Sequence, residues 1–525
     1  MSQSNKKIVT QKSKASIGQS IVKSLKKSVS QSIEPMSLTE IALQERQLSL
    51  FDDVPIANGE INTASPKVLT AKLKSLAPVN RPLRICIAGY RSAPFGGGQG
   101  IYIKYLSKAL VEAGHQVDVI SGQPYPEVDS RVNLIKLPGL DLFNNGLRSL
   151  RAHHLTSLTN IIEWTGKLTG GFSEPYCFSR RLYKYLKPRR ADYDIIHDNQ
   201  CLGWGMLKLQ KKGFNLLTTI HHPITSDLKI ALNASDDKWQ RFFIRRWYDF
   251  LGMQKRVASQ LDHVVTVSKQ STEDISKDFS IDANNIHLIY NGIDTEVFKP
   301  MRGVRRDPWQ LMAIASADQP LKGLRYLLLA LSQLVSKYPQ LNLLLVSKPQ
   351  ENGETEKLIK SLNLAKHIQF VHGISTDALV KHYAESSIAI VPSVYEGFGL
   401  PAGEAMACAV PLVSTSGGAL SEVVGDAGVI VAIKDPTAMA IAIEELLLNA
   451  DVRKRYGKLG RKRIEKNFSW ALAAKEMTAL YYNIIDNKQP NVKLSSNKLP
   501  NDESPSDELF ETSDFYEEET ANAHH

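Results

Sequence analysis

The chain reads as an α/β protein made of two successive doubly wound domains, and three features predict this. Short apolar segments of strand length alternate with amphipathic segments of helix length over most of the sequence. The alternation runs twice, from Arg84 to Val267 and from Leu311 to Val431, with an Asn291-Gly292 turn signal between the two runs. After one of the later strands comes Glu396-Gly-Phe-Gly-Leu-Pro401, a glycine-bearing loop that leads straight into a helix. Doubly wound sheets bind ligands at such loops, outside the carboxyl ends of their strands.

Arg84-Ile-Cys-Ile-Ala-Gly89 is the first short apolar strand. A loop over 90–100, a helical pattern over 101–113, a stop at Gly114-His115 and a strand over 117–120 complete a βαβ unit. Further strands are expected at 195–197, 216–220 and 264–267. The second set is expected at 311–315, 341–346, 368–371, 388–391, 410–414 and 429–431. Two consecutive domains of this kind place the expected site in the cleft between them.

The chain has 525 residues, enough for two or three domains, and 43% hydrophobic against 22% charged residues indicates a largely globular protein. Cys86, Cys177, Cys201 and Cys408 are widely spaced with no Cys-x-x-Cys pair, which argues against a disulfide framework or a zinc site and for a reducing, cytoplasmic setting. No apolar run has the length of a membrane span, and the start of the chain lacks the apolar core of a secretory signal. The net charge of +10 is uneven: Lys6, Lys7, Lys12, Lys14, Lys23, Lys26 and Lys27 precede the first acidic residue, Glu34, whereas 502–519 is acidic. Residues 1–80 and 488–525 are expected to be disordered by composition. Ile17, Ile21, Leu25, Val29 and Ile33 recur every four residues among the lysines, the pattern of an amphipathic helix lying on an anionic membrane.

The stretch from Val391 to Cys408 carries the most chemistry. A helix starting at Pro401 offers unpaired N–H groups and the positive end of its dipole to an anion such as phosphate, and Gly397 and Gly399 allow close backbone approach. Glu396, before the helix, and Glu404, read as lying in its first turn, suit the hydroxyls of a sugar and a ribose. Taken singly, an early glutamate and a proline at the first position are ordinary helix punctuation. The whole string resembles the Glu-x7-Glu motif of the retaining glycosyltransferases of family 4, which have the GT-B fold. The resemblance covers about 83–485 and includes Asn291-Gly-Ile-Asp294. It implies two Rossmann-like domains facing each other across a cleft: an acceptor-side domain over 83–289 and a domain binding the nucleotide sugar over 290–470. A helix over 470–487 would return to the first domain.

The same resemblance implies roles for single residues. Lys322, in Asp318-Gln-Pro-Leu-Lys-Gly323, matches the lysine on the donor diphosphate. Glu396, Gly397, Phe398, Gly399, Leu400 and Glu404 would hold the donor, and Gly96 and Gly97 would bring backbone N–H groups to the leaving phosphate. His221 is preferred over His222 as the imidazole near the reacting carbon. Gln99, His197 and Asp198 are expected on the acceptor side. The family often places an arginine shortly before the lysine, where this chain has Ser316 and Ala317, and Arg91 is a candidate substitute. Gly96-Gly-Gly-Gln-Gly100 lacks the spacing of a dinucleotide fingerprint, and the resemblance implies a reaction without a metal ion, so the expectation is a nucleotide sugar as substrate with neither cofactor nor metal. The competing readings are a catalytically silent GT-B scaffold or sensor, favoured by the missing arginine, and a sugar-nucleotide epimerase.

The acceptor is expected to be a glycan or a lipid-linked glycan. Trp239-Gln-Arg-Phe-Phe-Ile-Arg-Arg-Trp-Tyr248 and the Arg180 to Arg190 stretch interleave aromatic and basic residues, which suits the headgroup layer of an anionic membrane. No nucleic-acid-binding module is recognised.

Overall fold

A computed structural model of the chain describes residues 81–486, apart from 95–97, 143–145, 148–149 and 234. The expectations for both ends of the chain, and for Gly96 and Gly97, lie outside the described residues.

The first sheet has seven strands: β1 (Arg84–Gly89), β2 (Gln116–Ser121), β3 (Asn133–Lys136), β4 (Ile195–Asn199), β5 (Leu216–Ile220), β6 (Val264–Thr266) and β7 (Ile286–Leu288). The second has six: β8 (Asp307–Ile314), β9 (Asn342–Val346), β10 (Ile368–Val371), β11 (Ser386–Val391), β12 (Leu412–Thr415) and β13 (Val429–Val431). Their orders are β3-β2-β1-β4-β5-β6-β7 and β10-β9-β8-β11-β12-β13, with every pair parallel. Helices cover both faces of a parallel sheet, which is why every residue of β4, β5 and β11 is buried. Strand alternation divides the core: Ile85 and Ile87 of β1 join the cluster on one face, and Cys86 and Ala88 join that on the other. The edge strands β3 and β7 escaped the sequence reading. Neither is apolar throughout, and each is a strand because a paired neighbour supplies its ladder.

The strand order reverses beside β1, between β2 and β4, and beside β8, between β9 and β11. At such points the connecting helices leave to opposite faces and open a crevice at the carboxyl ends of the strands. The loops after β1, β4, β5, β8 and β11 therefore supply the site.

The helix Trp470–Asp486 joins the two halves. Trp470, Ala473, Ala474, Met477, Leu480, Tyr481 and Ile484 recur at helical spacing and bury against Tyr102, Ile103 and Leu106 of the first domain. Each large apolar side chain buried this way contributes roughly 1.5–3 kcal/mol. At the crossover Ile293 N donates to Phe468 O at 2.8 Å. A Cβ on Gly292 would lie 2.2 Å from Trp470 N, so the Asn-Gly pair read as a turn signal is also a close approach of two chain segments. All four cysteines are buried and free.

Candidate active site

The second domain supplies a cation and a carboxylate held together. After β8 the chain makes a short turn, Pro320–Lys322, closed by Gly323 at φ 64. A Cβ at Gly323 would lie 1.9 Å from Pro392 O, so only glycine lets this turn sit against the loop after β11. There Val394 N donates to Leu321 O at 2.8 Å. This register brings Lys322 Nζ to 2.8 Å from Glu396 Oε1, which also accepts from Ser393 Oγ at 2.7 Å. Gly323→Ala is therefore expected to cost about 2 kcal/mol or more, from positive-φ strain and a backbone clash, and to weaken donor binding with it. Thermal unfolding and donor titration of the same variant check both effects.

The helix Leu400–Ala407 begins one residue before the expected start, capped by Gly399 at φ 96. Glu404 is consequently its fifth residue and lies beyond the first turn, where the dipole gives a carboxylate little help. Its Oε2 accepts from the Tyr383 hydroxyl at 3.4 Å, and burial pushes its pKa up to about 8. Phe398 is only 4% exposed and packs edge-on against Phe468, so its side chain belongs to the core and only its backbone can face a ligand. Leu400 is half-buried.

The first domain contributes His221, the residue after β5. Its Nε2 is 2.7 Å from Asn199 Oδ1, and its backbone N donates to Gln200 Oε1 at 2.8 Å. The Tyr102 ring meets it edge-on at 4.7 Å. Burial above all, then the neighbouring His222 and His197, lowers its pKa to about 3, so the imidazole is neutral at physiological pH. The two domains touch here. Ser271 Oγ donates to His221 O at 2.9 Å and lies 3.3 Å from Gly397 O, and a Cβ on Gly397 would come within 2.7 Å of His221 O. Tyr395 OH donates to Asp274 at 2.7 Å across the same seam. The His221 backbone thus meets Gly397, the residue after the Glu396 that holds Lys322.

A family model described as "Glycosyl transferases group 1" matches residues 303–463, and one described as "Glycosyltransferase Family 4" matches 96–297. The MMP alpha-(1->4)-mannosyltransferase of Mycolicibacterium hassiacum is 42% identical over 409 residues, covering 77% of this chain and 98% of that protein. The chain belongs to the group 1, family 4 glycosyltransferases. Among solved structures, sucrose-phosphate synthase from Thermosynechococcus elongatus aligns with a TM-score of 0.60 at 25% identity, covering 77% of this chain and all of that one (100%). Anabaena HepE in complex with UDP and glucose aligns with a TM-score of 0.56 at 15% identity, covering 76% of this chain and 99% of that one. The fold of this glycosyltransferase is GT-B.

Two expected acceptor-side residues of the glycosyltransferase do not face the cleft. His197 is fully buried; its Nδ1 meets Tyr481 OH of the returning helix and its Nε2 lies 2.6 Å from Thr219 Oγ1. Asp198, also fully buried, accepts from the backbone N–H groups of Cys201 and Leu202 at 3.2 and 3.1 Å and so shapes the turn after β4. Both have internal hydrogen-bond partners, as inward-facing polar groups at a sheet's end must. Gln99 is half-buried, and its backbone carbonyl accepts from Asn199 Nδ2 at 3.2 Å. Arg91 pairs with Glu174 at 3.4 Å, and burial raises the Glu174 pKa to about 7. Where the family's arginine is missing, the turn is braced internally: Ala317 N donates to Ser347 Oγ at 2.8 Å, and Asp318 accepts from the backbone of Gln350 and Thr355 at 2.9 and 2.8 Å. The sequence reading did not single out Ser393, Asn199 or Gln200. The available signal for the last two was a run of polar residues directly after an apolar strand at the reversal of strand order.

Proposed function

We propose that this glycosyltransferase moves a hexosyl unit, with mannose the first candidate, from a nucleotide sugar to a glycan or lipid-linked acceptor with retention of anomeric configuration and without a metal ion. The observation that carries the reading is the 2.8 Å Lys322–Glu396 pair at the approach to a helix N-terminus, next to Gly397, which the His221 backbone meets. Breaking the donor's glycosidic bond leaves an oxocarbenium-like sugar and a diphosphate anion. Lys322, the Leu400 N–H and the positive end of the Leu400–Ala407 dipole would stabilise the anion as it forms; Pro401 has no N–H, and those of Ala402 and Gly403 donate to Gly399 O. Glu396 suits hydroxyls of the transferred sugar and Glu404 those of the ribose. A neutral His221 can lie beside developing positive charge without repelling it. The alpha-mannosyltransferase named above supports mannose and an α-linked product, and HepE with UDP supports a nucleotide donor. The test is a panel of nucleotide sugars with oligosaccharide acceptors, reading the product's anomeric configuration by NMR. An α-linked product from an α-linked donor is expected. An inverted product would overturn retention, and donor binding without turnover would favour the silent scaffold.

The setting we propose is the surface of an anionic membrane. The helix Lys238–Trp247 exposes Trp239 (73%), Phe242 (54%) and Phe243 (55%), and carries Lys238, Arg241, Arg245 and Arg246 with no acidic residue. The Arg180 stretch differs: Phe178, Leu182 and Leu186 of its helix are buried, and Arg181 is held by Glu163. Among the described residues no helix is long and apolar enough to cross a membrane. Co-sedimentation with phosphatidylglycerol-containing vesicles is expected to fall at least about fivefold when Trp239, Phe242 and Phe243 are all changed to Ser, and to weaken with salt. A second arm lacking residues 1–80 separates any contribution of the lysine-rich leader. Binding unchanged by the triple substitution would overturn the role of this helix.

A further inference from the structure

The amide of Asn199 touches two parts of the site. Its Nδ2 donates to the backbone carbonyl of Gln99 at 3.2 Å, and its Oδ1 lies 2.7 Å from His221 Nε2. A carbonyl oxygen can only accept, so the Gln99 contact fixes which end of the amide carries the N–H groups. The other end, an oxygen, can only accept as well. His221 Nε2 must therefore carry the proton, and in a neutral ring Nδ1 then keeps its lone pair. Among the described residues Nδ1 has no hydrogen-bond partner. Asn199 is fully buried, and its neighbour Gln200, 1% exposed at φ 53, grips the backbone on both sides of the same histidine: His221 N donates to its Oε1, and its Nε2 donates to His222 O at 2.8 Å. Two buried amides at the end of β4 thus hold one imidazole by its ring and by its backbone.

We propose that Asn199 is a positioning residue that fixes the His221 proton on Nε2, so that Nδ1 presents a hydrogen-bond acceptor to a hydroxyl of the transferred sugar. The proposal rests on the reading of His221 as the sugar-facing imidazole. The same amide ties His221 to the backbone of Gln99, in the first turn of the helix Gly98–Glu112. The ionisable groups around His221 are His222 beside it, with Asp227 at 3.3 Å and the Tyr395 ring packed against His222, His197 on β4, and Tyr102 on the first helix. None of these accepts a proton from Nε2. Asn199 alone sets the tautomer.

The test compares Asn199→Ala, Asn199→Asp, His221→Ala and the double alanine variant in the full chain, by steady-state kinetics across the neutral pH range and by 15N-histidine NMR. The parent is expected to show His221 as the Nε2–H tautomer; the opposite tautomer would overturn the proposal directly. Asn199→Ala is expected to lower kcat about ten- to a hundredfold while the donor KM changes less than about threefold, and to add no loss in the His221→Ala background. In Asn199→Asp a carboxylate beside the ring favours the imidazolium, whose Nδ1 also carries a proton. Its kcat should therefore fall on the acid side and recover as pH rises, a limb that the parent lacks and that a merely structural residue would not create. If His221→Ala is inactive while both single Asn199 variants keep the parental kcat and pH profile, the Asn199 role fails and the site reading stands. If His221→Ala is fully active, the site reading fails, and this proposal with it.

Discussion

Lys322→Ala is expected to lower kcat/KM for the donor by about 10²–10³-fold while leaving the fold intact. Lys322 Nζ is 2.8 Å from Glu396 Oε1, and the two side chains are 27% and 12% exposed, so the pair sits in the cleft wall and outside the core. Removing the ammonium takes away the cation nearest the proposed diphosphate. It also leaves the Glu396 carboxylate with Ser393 as its other polar partner and a negative charge that repels the incoming donor. The two effects act in the same direction. A partly exposed ion pair contributes only about 0–1 kcal/mol to stability, so the thermal midpoint should move by no more than a few degrees. Initial rates, together with calorimetric titration of a nucleoside diphosphate, measure the loss. Nucleoside diphosphate affinity and turnover equal to the parent's would remove Lys322 from the site.

Glu404→Gln is expected to weaken donor use by about tenfold to a hundredfold and, at the same time, to stabilise the protein above neutral pH. Burial holds the Glu404 pKa near 8, against about 4.3 for an unfolded glutamate. Between those values the folded chain keeps a proton that the unfolded chain has released. The cost of this mismatch is absent below the unfolded pKa, grows as pH rises, and is complete once pH passes the folded pKa. Glutamine does not titrate and keeps a similar shape, so it removes the penalty. After discounting for partial solvent access, a gain of about 1–2 kcal/mol near pH 8 is expected, which fades as pH falls toward 4.3. The donor loss is expected above about pH 8, where the ionised Glu404 presents two acceptor oxygens and the amide only one. Thermal melts of both proteins over a pH series, paired with donor kinetics, check the two halves separately. A gain that did not depend on pH would show that packing, and not ionisation, was responsible.

Much of the molecule is legible from residue order because its signals are local. A parallel strand buried on both faces must be a short apolar run, so β1, β4, β5 and β11 announce themselves. Glycines that a turn or a close approach demands, such as Gly323, Gly397 and Gly399, mark the loops that approach the ligand. The edge strands β3 and β7 carried no such signal. The boundary of the Leu400–Ala407 helix differed by one residue from expectation, enough to move Glu404 out of the first turn.

The family, the doubly wound fold and the identity of the loops at the site are readable from residue order alone, since each depends on short strings whose chemistry is set by neighbours along the chain. Long-range packing, in contrast, selects the partners of the polar side chains at the strand ends. Asp198 turns inward to cap the loop after β4, His197 bonds to Tyr481, 284 residues later, and Phe398 is claimed by Phe468. Asn199, beside them in sequence, reaches His221 instead. The physical reason is that a buried polar group takes whatever partner the packed chain brings within hydrogen-bonding distance, and that partner here comes from another strand or the far end of the chain.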